Sequence, residues 1–216
     1  MIPNEDWSLF NPNGFAALVI DMHRGHLDED ATIPLPRGRK ILAAIENLME
    51  NLRKIDVPII HVISKFRKGG IDKMCPQFRR SSLLERVPRY FEHNIEGTKY
   101  VESLVSIQEN DCVVDTKKRY SSFHGTDLEL LLRNLGIETL IVTGIAAEFC
   151  VLNTCFDALS RDFKVIVPED CVEGENDDHV KFALEIIGNR LGWLASSNQI
   201  IEFIGVLRGG KVSQVM

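Results

Sequence analysis

Short apolar runs alternate with segments of helical period along this chain, and that alternation restricts the folds open to it more than any other feature. Six β-rich runs recur, at residues 15–20, 58–63, 112–114, 139–143, 163–167 and 200–204. Most are continuous apolar stretches rather than alternating ones, the pattern of strands buried on both faces of a parallel sheet. Between them, Ile41, Ile45, Leu48 and Leu52 repeat at helical spacing, as do Leu128, Leu131, Leu132 and Leu135 ahead of Gly136. Val151, Cys155, Ala158 and Leu159 keep the same period, and Val180, Ala183, Leu184 and Ile187 repeat it before Gly188. Strands and helices in this alternation predict a doubly wound α/β fold, a three-layer arrangement with helices on both faces of a mainly parallel sheet.

The 216 residues are expected to form a single domain, 1–216, with a full core. One stretch breaks the pattern. Residues 65–97 are rich in Arg, Lys, Pro and Phe without a clean period, and are read as a loop insertion that is either irregular surface or a lid or interface. With 25 Lys and Arg against 31 Asp and Glu, the net charge of −6 gives no electrostatic reason to expect nucleic acid or an anionic membrane as partner. No apolar run approaches the roughly 20 residues of a membrane span. The start, MIPNEDWSLF, lacks the basic flank and apolar stretch of a signal peptide, so a cytoplasmic protein is expected. Five cysteines without CxxC spacing predict reduced thiols rather than a disulfide framework or a structural zinc site.

Open α/β sheets bind ligands at the carboxyl ends of their strands. There, the first run ends in Asp21, the third leads into Lys117, and the fourth ends in Gly144 ahead of IAAEFC, with Cys150 in the expected first turn of a helix. A nucleophilic thiol needs a base and positive potential. Asp21 can supply the first, Lys117 and the helix N-terminus the second, and N–H groups around Ala146 and Cys150 can face an oxyanion. Taken singly, each residue also has an ordinary structural reading: a capping Asp, a solvated Lys, a core Cys.

The segments LVIDMHRGH, KKRYSSFHGTDLELLLRNLGIETLIVTGIAAEFCVLNTCFDAL and FKVIVPEDCV together resemble the isochorismatase-like superfamily of cysteine hydrolases. The resemblance implies a six-stranded sheet of order 3-2-1-4-5-6. It also implies Asp21 as general base, Lys117 as the essential lysine and Cys150 as nucleophile; Lys117 is chosen over Lys118 because the family's lysine lies six residues before the Phe, here Phe123. A cis peptide at Ile145–Ala146 would aim the Ala146 N–H into an oxyanion hole. Where the family commonly has Thr-Asn this chain has Ala147-Glu148, and His23 stands where Gln is common. Both differences bear on the substrate.

Nicotinamidases of the superfamily hold a metal through an Asp and two His in the loop after the second strand. SKFRKGGIDKMCPQF has no histidine there, and His61 falls within the strand. His23, His26 and Asp28 lie close in sequence, but such a trio is more often hydrogen-bonded or solvated than metal-binding, so neither metal nor cofactor is expected. Members with all three catalytic residues cleave small amides and ureides: carbamoylated amino acids, biuret-like compounds, ureidoacrylates, maleamate and nicotinamide. The expected function is therefore cysteine-dependent amidohydrolysis of a small linear amide or ureide, a non-peptide C–N bond. The alternatives are an isochorismatase-type enol-ether hydrolase and a non-catalytic binding or assembly protein. His23, Tyr120, Phe123 and Glu148 are candidate substrate contacts; Ser122 and His124 could line the pocket, and Arg67, Lys68, Arg79 and Arg80 could meet a substrate carboxylate. Relatives suggest a homo-oligomer, dimer or tetramer. Trp7 and Trp193 have no role readable from the sequence.

Overall fold

The computed structural model describes residues 7–31, 34–68, 71–72 and 94–209. Of the 65–97 stretch, residues 69–70 and 73–93, with Cys75, Arg79 and Arg80, therefore lie outside the described residues.

Six strands form one sheet: β1 Phe15–Ile20, β2 Ile59–Ser64, β3 Cys112–Lys117, β4 Thr139–Gly144, β5 Lys164–Pro168 and β6 Trp193–Ala195. Their order is β3-β2-β1-β4-β5-β6, and every pairing is parallel. Every residue of β1, β2 and β4 is buried, which is why these strands read as unbroken apolar runs. Alternate residues serve opposite faces. Ala16, Leu18 and Ile20 join Leu128, Leu132, Cys155, Ala158 and Ala183 in one core, on the side of helices Leu128–Asn134, Leu152–Leu159 and Asp177–Ile186. Phe15, Ala17 and Val19 join Ile45, Leu48, Leu52, Ile200 and Phe203 in the other, beneath helices Leu42–Lys54 and Ser197–Leu207.

The sixth strand is a correction to the sequence reading. Residues 200–204 belong to helix Ser197–Leu207, and the strand beside β5 is Trp193–Ala195. The run QIIEFI is apolar enough to pass for a buried strand, but Ile200, Phe203 and Ile204 lie at helical spacing and are the positions that are buried. Ser196 and Gln199 close a reciprocal capping box at the start of that helix, a signal present in the sequence as S-x-x-Q. Trp193 thus gains a place in the edge strand, its ring 5.0 Å from that of Phe10, and Trp7 packs edge-on against Phe203.

One glycine and a bulge decide how the strands end. Gly144 closes β4 at φ +109, and a Cβ there would lie 2.1 Å from the carbonyl oxygen of Ile20. Only glycine permits that approach of β4 to the end of β1. On the other side, β2 and β3 pair Val62 with Val114 but Ser64 with Lys117, so β3 carries one extra residue in that interval. Strict alternation from Val114 would turn Thr116 and Lys118 to its face; the bulge instead buries Lys117.

Candidate active site

The chain leaves β1 through Asp21, whose φ of 56° is left-handed, a region Asp tolerates better than most side chains. Its N–H donates to the Val62 carbonyl, so the turn is fixed to β2. The carboxylate is fully buried and almost saturated. Oδ1 accepts from the Ser64 N–H at 3.1 Å and the Ser64 hydroxyl at 2.8 Å, and Oδ2 accepts from Lys117 Nζ at 2.6 Å. Lys117, itself only 1% exposed, also donates to Ser64 Oγ at 2.9 Å and reaches Cys150 Sγ at 3.3 Å. One ammonium therefore bridges a carboxylate and a thiol supplied by three different strand ends.

Burial by itself would raise the Asp21 carboxyl, but the Lys117 ammonium holds it well below the usual carboxylate range. The Cys150 thiol is pushed up to about 12 by burial; Lys117 pulls it down and Asp21 up. At rest the site thus contains a carboxylate, an ammonium and a protonated thiol. An ion pair this buried is costly to break from either side, because the abandoned charge has no water to turn to.

Cys150 sits in a π-helical turn, Ala147–Val151, that runs directly into the helix Leu152–Leu159. π-turns of this kind are frequent at functional sites. Thr154 steadies the turn, donating to the Cys150 carbonyl at 2.7 Å while its hydroxyl accepts from the Ser122 N–H at 3.0 Å. The preceding Ile145–Ala146 bond is cis, as the family resemblance implies. The Ala147 N–H donates to the Glu173 carbonyl, tying the turn to the segment after β5.

The weaker candidates scatter. Tyr120 stacks on Phe149, a residue of the Ala147–Val151 turn, with ring centroids 5.3 Å apart. Burial, then the neighbouring Cys150, raises the Tyr120 phenol. Phe123 lies in the core, stacked on Phe163. Glu148 is almost buried, its Oε1 accepting from the Glu175 N–H at 2.9 Å and facing His179 at 3.4 Å. Ser122 is buried and serves Thr154, whereas His124 is exposed. Arg67 and Lys68 are exposed, and Arg67 meets Asp72. His61 lies within β2, as expected, and contacts Asp111 at 3.2 Å.

The trio His23, His26 and Asp28 does not act together. Asp28 is engaged by Arg24 and Arg39, while His23 and His26 turn toward Asp21. Ligand atoms of Asp21, His23 and His26 lie within 4.8 Å of one another. A cation there would have to share Asp21 with the Lys117 ammonium and with both Ser64 donors, a poor environment for added positive charge. A second group, Glu148, Glu175 and His179, is half open to solvent. Ser64 is the site residue that sequence reasoning missed. The signal was the rule that singled out Asp21 and Lys117, a polar residue at the carboxyl end of a buried strand, here the last residue of β2.

Comparison with known proteins places the fold in a family. The isochorismatase domain family matches residues 15–199. An uncharacterized isochorismatase family protein, PncA of Bacillus subtilis (strain 168), is 35% identical over 163 residues, covering 72% of this chain and 83% of that protein. The N-carbamoylsarcosine amidase of Arthrobacter sp is 24% identical over 217 residues, covering 93% and 78%. A crystal structure of a cysteine hydrolase from Pseudomonas syringae pv. phaseolicola 1448A shares the fold with a TM-score of 0.83 at 24% identity, covering 92% of this chain and 95% of that one. With its sheet order and a family match over most of its length, the chain belongs to the isochorismatase family of hydrolases.

Proposed function

We propose that this protein is a cysteine-dependent amidohydrolase that cleaves the non-peptide C–N bond of a small linear amide or ureide through a thioester. The observation that carries the reading is Lys117 Nζ set between the Asp21 carboxylate at 2.6 Å and the Cys150 thiol at 3.3 Å. The amidase among the similar proteins gives the same direction for the substrate class.

Cys150 begins as the thiol. As it approaches the substrate carbonyl its proton passes to Asp21, and the electron pair left on sulfur forms the C–S bond. Lys117 stays charged throughout and stabilises the growing negative charge on sulfur. The oxyanion accepts from the Ala146 and Cys150 N–H groups. When the C–N bond breaks, Asp21 returns the proton to the departing nitrogen; it then takes a proton from water, whose oxygen attacks the thioester, and gives that proton to sulfur as the C–S bond breaks and the acid leaves. The chemistry as written uses no redox cofactor. A cytoplasmic homo-oligomer completes the proposal, with sedimentation velocity as the check on assembly.

The test is ammonia release from N-carbamoyl amino acids, biuret, ureidoacrylate, maleamate and nicotinamide, with wild type and Cys150→Ala side by side. Release by wild type alone supports the amidase. Equal release by both rules out Cys150 as nucleophile, and activity of both proteins on an enol ether alone would favour the isochorismatase-type alternative. Silence of wild type on every substrate would favour a binding or assembly role.

A further inference from the structure

We infer that His23 is the terminal proton acceptor for the Cys150 thiol, acting through Asp21, so that the attacking state of the site is a thiolate beside an imidazolium. The inference rests on the amidohydrolase reading and adds a residue to it.

His23 is fully buried and faces Oδ1 of Asp21, whereas Lys117 holds Oδ2. Its Nδ1 lies 2.9 Å from the Tyr100 carbonyl, an acceptor only, so Nδ1 carries hydrogen, and the tautomer this selects has its lone pair at Nε2. Nε2 is buried, has no hydrogen-bond partner among the described residues, and stands 3.7 Å from Asp21 Oδ1. That separation is too long for a hydrogen bond, and contacts of this kind often tighten only when the reacting state forms. A buried nitrogen of this sort calls for an explanation.

Asp21 needs the help. Three donors already hold its oxygens, each favouring the ionised form, so a proton placed on Asp21 has to displace part of that network. The Nε2 lone pair has no such competitor. In the proposed relay the S–H bond breaks with its electron pair kept on sulfur, Asp21 passes the proton on, and an N–H bond forms at His23 Nε2. Asp21 ends as it began, ionised between two cations, Lys117 and His23. Beside His23 lie the His26 ring, with centroids 4.9 Å apart, and the Tyr100 carbonyl. The retained bond to Tyr100 stabilises the imidazolium as well as the neutral ring.

Two variants test this. His23→Asn keeps a donor where Nδ1 stands and removes the acceptor, while His23→Gln puts an amide where Nε2 stands. The probe is iodoacetamide, with alkylation of Cys150 followed by mass spectrometry from pH 5 to pH 9 on folded protein, so no substrate need be known. Relay through His23 predicts that either folded variant alkylates at pH 7 about tenfold or more slowly than wild type, with the rise in rate displaced to higher pH. A profile within twofold of wild type in either variant would overturn the role of His23 while leaving Cys150 as nucleophile. If Cys150 in wild type reacts no faster than the buried Cys155, the amidohydrolase reading and the relay fall together.

Discussion

Cys150 and Cys155 lie on the two parts of one continuous helical segment, the π-turn and the α-helix that follows it, and both are buried. Burial raises both thiols. For Cys155 nothing opposes it, since its neighbours are the apolar residues of the core between helix and sheet. For Cys150 burial and the neighbouring Asp21 carboxylate both raise the thiol, and an ammonium 3.3 Å away, which also holds Asp21, works against them. Depth in the protein therefore does not distinguish these two cysteines. What separates them is the set of charged groups that the strand ends bring to one and not to the other.

The largest effect should come from exchanging the two thiols for alanine in turn. Cys150→Ala should cost about 10⁴-fold or more in ammonia release, whereas Cys155→Ala should leave the rate within about twofold and cost only about 1 kcal/mol in urea unfolding. Comparable losses of activity in both would erase the distinction. Next comes Lys117→Met, which strands the Asp21 carboxylate in a dry pocket. It should destabilise the fold by about 3–5 kcal/mol, read from denaturant midpoints, and slow Cys150 alkylation toward the rate of Cys155. An undiminished stability would mean that Asp21 is not ionised at rest.

The acid side offers a third, smaller effect with a definite sign. Asp21 is depressed in the folded protein relative to about 3.9 in the unfolded chain, so its contribution is present above the unfolded value and disappears as pH falls through the folded one. Wild type should therefore exceed Asp21→Asn in stability by a constant margin near neutrality. That margin should shrink steadily below about pH 4. Parallel stability curves down to acid denaturation would contradict the ion pair.

The same comparison explains which parts of the molecule were legible beforehand. Strands β1, β2 and β4 are buried on both faces, so their continuous apolar runs carried enough signal to locate them and, through the strand-end rule, Asp21 and Gly144. Lys117 was a different case. Alternation along β3 points to Lys118, and the bulge that selects Lys117 is a pairing irregularity between two strands, invisible in either alone; only the resemblance chose between the adjacent lysines. Lys118 instead turns to the Lys65 carbonyl and Asp72. The edge strand β6 has three residues and one buried position, too little for a pattern, and the longer apolar run beside it drew the assignment. Phe123 shows the converse. Its place in the motif left pocket wall and core both open, and its ring packs on Phe163 in the same core cluster as Cys150.

Ser64 supplies the smallest and sharpest test, because it touches every charged group at the base end of the site without carrying charge. Its hydroxyl donates to Asp21 and accepts from Lys117, and its N–H donates to Asp21 whatever the side chain is. Ser64→Ala should keep the N–H contact and remove the hydroxyl link, costing about 1–2 kcal/mol of stability. The carboxylate then loses one of the donors that favour its ionised form, so its depression should lessen and the acid limb of stability should move to higher pH, the direction opposite to a deepened ion pair. Cys155 should be indifferent to the change and Cys150 should not: its alkylation rate should change severalfold while that of Cys155 stays fixed. If both thiols respond alike, Ser64 is a packing residue and the charge set that distinguishes Cys150 ends at Asp21 and Lys117.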